Sequence, residues 1–119
     1  MALLKEQERI CRQLGNFDSL QRSLGNQANI LYARGQLEQA MALHKEAERI
    51  CRQLGNPSGL ATSLVNQATI HAQRSQFREA IALAEQTLEI AQSHGLEALA
   101  KQIQPILARI RSQAAGRPQ

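Results

Sequence analysis

The sequence predicts an all-α protein, a solenoid of antiparallel helix pairs with about six helices. Three observations carry this. "ERICRQLGN" stands at 8–16 and again at 48–56, a spacing of 40 residues. Sliding the chain by that spacing matches 24 of the 40 residues in 1–40 to 41–80, and an eroded third copy opens at Ile81 with "IALAEQTLEIAQSHG". Self-similarity at a fixed period of this length marks a repeat architecture. Aromatics make up only 3% of the chain, with no Trp, while 43% of residues are apolar. The core must therefore be Leu, Ile and Ala, which suits helices better than a β-sandwich.

Taken in order, the helices are expected at 2–14, 17–34, 37–54, 57–74, 77–94 and 97–113, as one domain over 1–113 with a flexible tail at 114–119. The first and third are the duplicated kind. Ala40, Leu43, Ala47, Ile50 and Leu54 step by three or four residues and form one apolar stripe. "LGN" at 14–16 and 54–56 stops each of them, with Gly in the left-handed position past the last turn. The second and fourth helices carry the stripe Leu20, Leu24, Ala28, Leu31 and its counterpart. Asn56 followed by Pro57 reads as an N-cap and a first-turn proline. Gly35 divides the second helix from the third. Its counterpart is Ser75, so that turn is not expected to demand a positive φ. Connections of two or three residues force neighbours antiparallel. Pro105 falls inside the last helix and is expected to kink it or to mark its start near Gln104.

Composition excludes several classes. No apolar run approaches the ~18 residues that span a bilayer, and no signal-peptide pattern is visible, so a cytoplasmic location is expected. The net charge of +4 comes from Lys101, Arg109, Arg111 and Arg117, because residues 1–100 balance ten acids with ten bases. That basic end favours a solvated helix terminus over nucleic-acid binding. Cys11 and Cys51 are copies of one position, about 10 Å apart in adjacent repeats, too far for a disulfide. They read as buried packing thiols. His44 and His71 fall on packing positions without a third ligand, so no metal site is expected. No phosphate loop, nucleophile motif or carboxylate pair appears. Neither catalysis nor a cofactor is expected.

"NQANILYARGQLEQAMALHKEA" (26–47) and "NQATIHAQRSQFREAIALAEQT" (66–87) resemble tetratricopeptide repeats. Ala28 and Ala68 match the family's small residue of the first helix, and Leu24 and Leu64 its bulky position one turn earlier. Leu31 and His71 stand at the usual aromatic position. Gly35, then Leu37 or Phe77, then Ala40 or Ala80 follow the turn and the start of the second helix; Ala47 matches a further small site. The usual period is 34. The 40-residue form is similar to repeats of kinesin light chains, Pins-type scaffolds and bacterial signalling arrays. Leu replaces the bulky aromatic, and the terminal Pro of the pattern is missing. The resemblance implies a right-handed superhelix, with the first helix of each pair lining a concave groove that binds peptides or helices without chemistry.

Comparing the copies suggests where such a partner would sit. The duplicated helix keeps even its exposed charges, Lys5/Lys45, Glu6/Glu46, Arg9/Arg49 and Arg12/Arg52, as recent duplication explains. The other helix diverges on one face: Arg22/Thr62, Gly25/Val65, Asn29/Thr69 and Tyr32/Ala72. The resemblance places this face in the groove. Asn26 and Asn66 border it and are identical. In kinesin-light-chain-like repeats the matching Asn bonds the peptide backbone; the alternative is an Asn bonding a neighbouring helix. Asn29 and Asn66 also match the family's carboxylate-clamping subgroup, but Gly25 and Gln102 replace its lysines.

The chain opens on a second-type helix lacking its partner. The expectation is a fragment or short member of a longer array, with a nucleotide-binding signalling switch as one setting by family analogy. Leu3, Leu4, Gln7 and Ile10 are then exposed, and self-association of the first helix is expected, head-to-tail or two-fold. A spacer or oligomerising role is the alternative to peptide binding, and RNA binding by the basic tail a distant third.

Overall fold

The computed structural model describes residues 1–116. They form six helices with no strand among them: α1 Ala2–Leu14, α2 Phe17–Ala33, α3 Leu37–Leu54, α4 Pro57–Gln73, α5 Phe77–Ser93 and α6 Glu97–Ala115. The architecture is an all-α helical repeat. α2, α4 and α5 stop one residue short of the expected ends, and α6 runs two residues further; Arg117, Pro118 and Gln119 lie outside the described residues. The chain divides into two compact units, Met1–Ser63 and Leu64–Gln119.

The first five helices end by the same device. The backbone N–H of Gly15 donates to Arg12 and that of Asn16 to Cys11; the same two bonds recur at Gly35/Gln36, Gly55/Asn56, Ser75/Gln76 and Gly95/Leu96. This pair of bonds closes the last turn and requires a left-handed residue between helix and exit. The expectation for Ser75 is thereby overturned. Its φ is 60°, beside 77° at Gly35. The hydrogen-bond pattern, not the residue type, sets the conformation, and Ser75 adopts it without glycine's freedom. On the entry side, Asn16 Oδ1 accepts from the Ser19 N–H at 3.2 Å and Asn56 Oδ1 from the Gly59 N–H at 3.0 Å, satisfying an otherwise orphaned donor in each helix.

In the first unit, Leu20 and Leu24 of α2 pack with Cys11 of α1 and with Ala47 and Ile50 of α3; Leu43 closes the cluster. Polar groups tie α1 to α2: Ser23 Oγ donates to the Leu4 carbonyl (3.0 Å), and Gln27 Nε2 to Glu8 Oε1 (3.0 Å). Arg12 bridges Glu8 on its own helix and Glu46 on α3 at 2.7 Å. Part of the repeated charge pattern therefore joins neighbouring copies, in addition to recording duplication.

In the second unit, Ala68 of α4, Ala80 and Ala84 of α5, and Leu107 and Ile110 of α6 make one cluster, and Val65, Ala91, Ala100 and Ile103 another. Ala28, Ala40, Ala68 and Ala80 have no exposed surface, as close helix crossing requires. α6 passes uninterrupted through Pro105 and does not begin near Gln104. Pro105 and Lys101, whose carbonyl loses its helical donor there, are both on the exposed face, where water replaces the bond.

Candidate functional site

α2 carries the larger share of the expected site. Arg22, Asn26 and Asn29 follow one another at steps of four and three residues and are all exposed; Gly25, between them, is half-buried. A methyl group added at Gly25 would meet nothing within 4 Å, so the backbone there is open to close approach. Tyr32 continues the face one turn on and is half-buried. Arg22 is held by Asp18 across one turn at 2.6 Å, both side chains largely in solvent. Such an exposed pair is weak and exchangeable, so the guanidinium remains open to another carboxylate. Asn26 is exposed, so its amide can be reached from solvent.

α4 departs from this pattern. Thr62 is exposed, while Asn66, Thr69 and Ala72 are half-buried. Val65 is 9% exposed and packs with Ala91, Ala100 and Ile103. An isopropyl group where the first copy has hydrogen gives α5 and α6 something to pack on, so this position belongs to the core. The Thr62 and Thr69 hydroxyls donate to the carbonyls of Ser58 and Val65, each at 3.0 Å, and so bond within their own helix.

The sequence reading missed a cleft of about 580 Å³ in the first unit. It lies among the start of α1 (Lys5, Glu8), the end of α2 (Leu31, Arg34) and the start of α3 (Gln39, Leu43). Its residues come from three separate segments, each reading as ordinary helix surface. The only available signal was Leu31, an apolar residue of the packing stripe that remains half-buried. Glu8 in its wall is held below the usual carboxylate range, first by the Gln27 hydrogen bond and then by Arg12.

The candidate reactive groups are placed for packing. Cys11 and Cys51 are free and buried. Burial, with the Asp18 charge adding to it, pushes the Cys51 thiol up, away from the reactive thiolate, and its Sγ donates to Gln21 Oε1 at 3.4 Å. His44 is buried, which pulls its imidazole down to about 4. His71 Nδ1 lies 2.7 Å from Gln76 Oε1 at the turn into α5. Among the described residues no three His, Cys, Asp or Glu side chains are grouped to hold a metal, and no helix is long and apolar enough to cross a membrane. In the basic C-terminal region, Arg111 pairs with Glu85 at 2.6 Å.

A family model described as "Tetratricopeptide repeat" matches residues 19–93, more than half of the chain. No curated protein matches it.

Proposed function

Because the chain belongs to the tetratricopeptide-repeat family, whose repeats generally mediate protein–protein interactions, we propose that it is a non-catalytic module that binds a peptide or helix of another protein through the exposed face of α2. The observation that carries this reading is the set Arg22, Asn26 and Asn29 in solvent around an open Gly25. These residues differ from their counterparts in the second copy, apart from Asn26, while Leu20, Leu24 and Ala28 of the packed stripe recur as Leu60, Leu64 and Ala68. Arg22 selects an acidic side chain by exchanging Asp18 for it. The amides of Asn26 and Asn29 each donate and accept, which suits a peptide backbone. Half-buried Tyr32 adds an apolar anchor of the kind that dominates interfaces. Thr62, Asn66, Thr69 and Ala72 of α4 are proposed as secondary contacts; Val65 is not, because it is in the core.

The test is affinity capture from the native source with wild type and with Arg22→Ala/Asn26→Ala/Asn29→Ala, all exposed positions that leave the core intact. The expected result is a partner retained by wild type, lost by the triple variant and weakened by Tyr32→Ala. Partners that survive both changes place recognition elsewhere. A second reading, in which the array oligomerises or spaces other domains, is favoured by the apolar surface of α1.

A further inference from the structure

The cleft of about 580 Å³ in the first unit falls within the ~300–1,000 Å³ of typical ligand sites, and it is separate from the face of α2 that carries Arg22, Asn26 and Asn29. On the α1 side it is lined by Met1, Lys5 and Glu8. These step by four and three residues on the side of the helix where Arg12 reaches Glu46 of α3. Leu3, Gln7 and Ile10 lie on another side of α1 and are exposed, as expected. Leu4, expected with them, is half-buried, and its carbonyl accepts from Ser23 of α2. The residues of the cleft wall recur as Met41, Lys45 and Glu48 in the interior of α3, a helix with others ahead of it. The wall therefore belongs to the repeat and not to the opening of the chain.

Glu8 commits both carboxylate oxygens, Oε1 to the Gln27 amide and Oε2 to Arg12, so its charge is answered within the wall. Among the described residues neither Lys5 nor Arg34 is in an ion pair, though Lys5 adds to the field that keeps Glu8 ionised. Both cations are exposed, as are Gln36 and Gln39, while Leu31 and Leu43 are half-buried and supply an apolar floor.

Comparing the copies sets this cleft apart from ordinary surface. Eight of its ten lining residues are identical 40 positions on, against 24 of 40 over the whole repeat. Residues 17–40 have ten exposed positions, and of these Asn26, Arg34 and Gln36 alone are the same in the second copy. Two of the three line the cleft. Helix capping does not account for Gln36, whose side chain makes no capping bond. The two lining positions that differ, Leu31 and Gln39, are His71 and Glu79 in the second copy. The first copy thus keeps an apolar floor and adds no second acid to Glu8.

We propose that this cleft binds a short acidic peptide segment of a partner protein, one that carries a carboxylate beside an aliphatic side chain. The carboxylate bonds Arg34, and Lys5 adds a second positive charge across the cleft. The aliphatic side chain rests on Leu31 and Leu43. The amides of Gln36 and Gln39 donate to and accept from the segment's backbone. Small ligands are held with about 70–90% of their surface buried. Here all four polar contacts are exposed side chains, which suits a segment of a larger chain that remains partly in solvent.

Titration of the isotope-labelled chain with acetyl-Glu-Leu-Glu-amide, followed by the NMR shifts of its backbone amides, tests this. Saturable shifts are expected at Lys5, Arg34, Gln36 and Gln39, with a Kd on the order of 1 mM. Lys5→Ala and Arg34→Ala are each expected to weaken binding about threefold, the scale of exposed charge pairs. Gln39→Glu, which installs the second copy's residue, should weaken it by like-charge repulsion. All three positions are exposed, so the fold tolerates the changes. Acetyl-Glu-Ser-Glu-amide should bind more weakly and acetyl-Lys-Leu-Lys-amide not at all. Arg22→Ala/Asn26→Ala/Asn29→Ala should leave the titration unchanged. No saturable shift at about ten times the expected Kd, an equal response to the lysine peptide, or unchanged affinity in all three cleft variants would each overturn the proposal. Shifts confined to Arg22, Asn26 and Asn29 and lost in the triple variant would overturn it too, while supporting recognition by the α2 face.

Discussion

Ile10 and Ile50 occupy the same place in two copies of one nine-residue segment, yet 42% of Ile10 is exposed and 2% of Ile50. Local sequence is identical around both, so the difference is entirely tertiary: Ile50 has Leu20 and Leu24 against it. Ile50→Ala should cost about 2–5 kcal/mol as a cavity mutation, and Ile10→Ala well under half of that. Urea denaturation of the two variants, at a concentration where the chain is monomeric, checks it. Equal losses would mean that Ile10 is covered in solution.

Ala68→Leu should overpack the crossing where Ala68 meets Ala80, Ala84, Leu107 and Ile110. Three added carbons in a site with no exposed surface cost on the order of 1–3 kcal/mol, seen as a lower Tm. An unchanged Tm would dissociate this alanine from the close approach of the helices.

Ser75→Gly should stabilise the protein by about 1 kcal/mol. Ser75 carries a side chain at φ 60°, a conformation that costs non-glycine residues roughly that much, and glycine removes the penalty while the two closing hydrogen bonds stay. The entropy of the freer unfolded chain offsets part of the gain. The reverse change, Gly35→Ser at the matching turn, should destabilise. Thermal melts of both variants give the two signs.

His44 links stability to acid. Its folded imidazole titrates at about 4 against an ordinary 6.5, because burial disfavours the cation. The unfolded chain therefore binds a proton first as the pH falls, and stability is lost progressively from about 6.5 down to about 4. The difference is on the order of 2 kcal/mol at pH 5. His44→Leu, the residue at the matching position 4, should flatten the Tm profile across that window. A parallel profile for the variant would assign the acid sensitivity to the carboxylates, such as Glu8, whose depressed pKa acts in the same direction at lower pH.

The helices, their turns and the buried alanines were legible because each is written in a few adjacent residues and then repeated. Ala28, Ala40, Ala68 and Ala80 could be placed by register alone. Ser75 was misread because residue type was weighed above the backbone bonds that its neighbours make. Of the two outcomes expected at Pro105, a helix start near Gln104 is the one that fails, because the freed carbonyl of Lys101 lies on the exposed face and the helix can run on through the proline. Val65 looked like surface beside Gly25, since the two copies share a helix face but not what packs on it. The cleft bounded by Lys5, Arg34 and Gln39 needed three helix ends brought together in space.

The left-handed residues at 15, 35, 55, 75 and 95 fall every 20 positions, and each is closed by bonds that reach back no more than five residues. Every reversal of the chain is thus encoded where it happens. Folding needs no long loop to close before a contact is rewarded, and the low contact order that results places the chain among fast folders, on the microsecond-to-millisecond scale. A helix hairpin can nucleate at any turn and recruit its neighbours, so ordering should spread outward from the most cohesive pair without waiting for the chain ends.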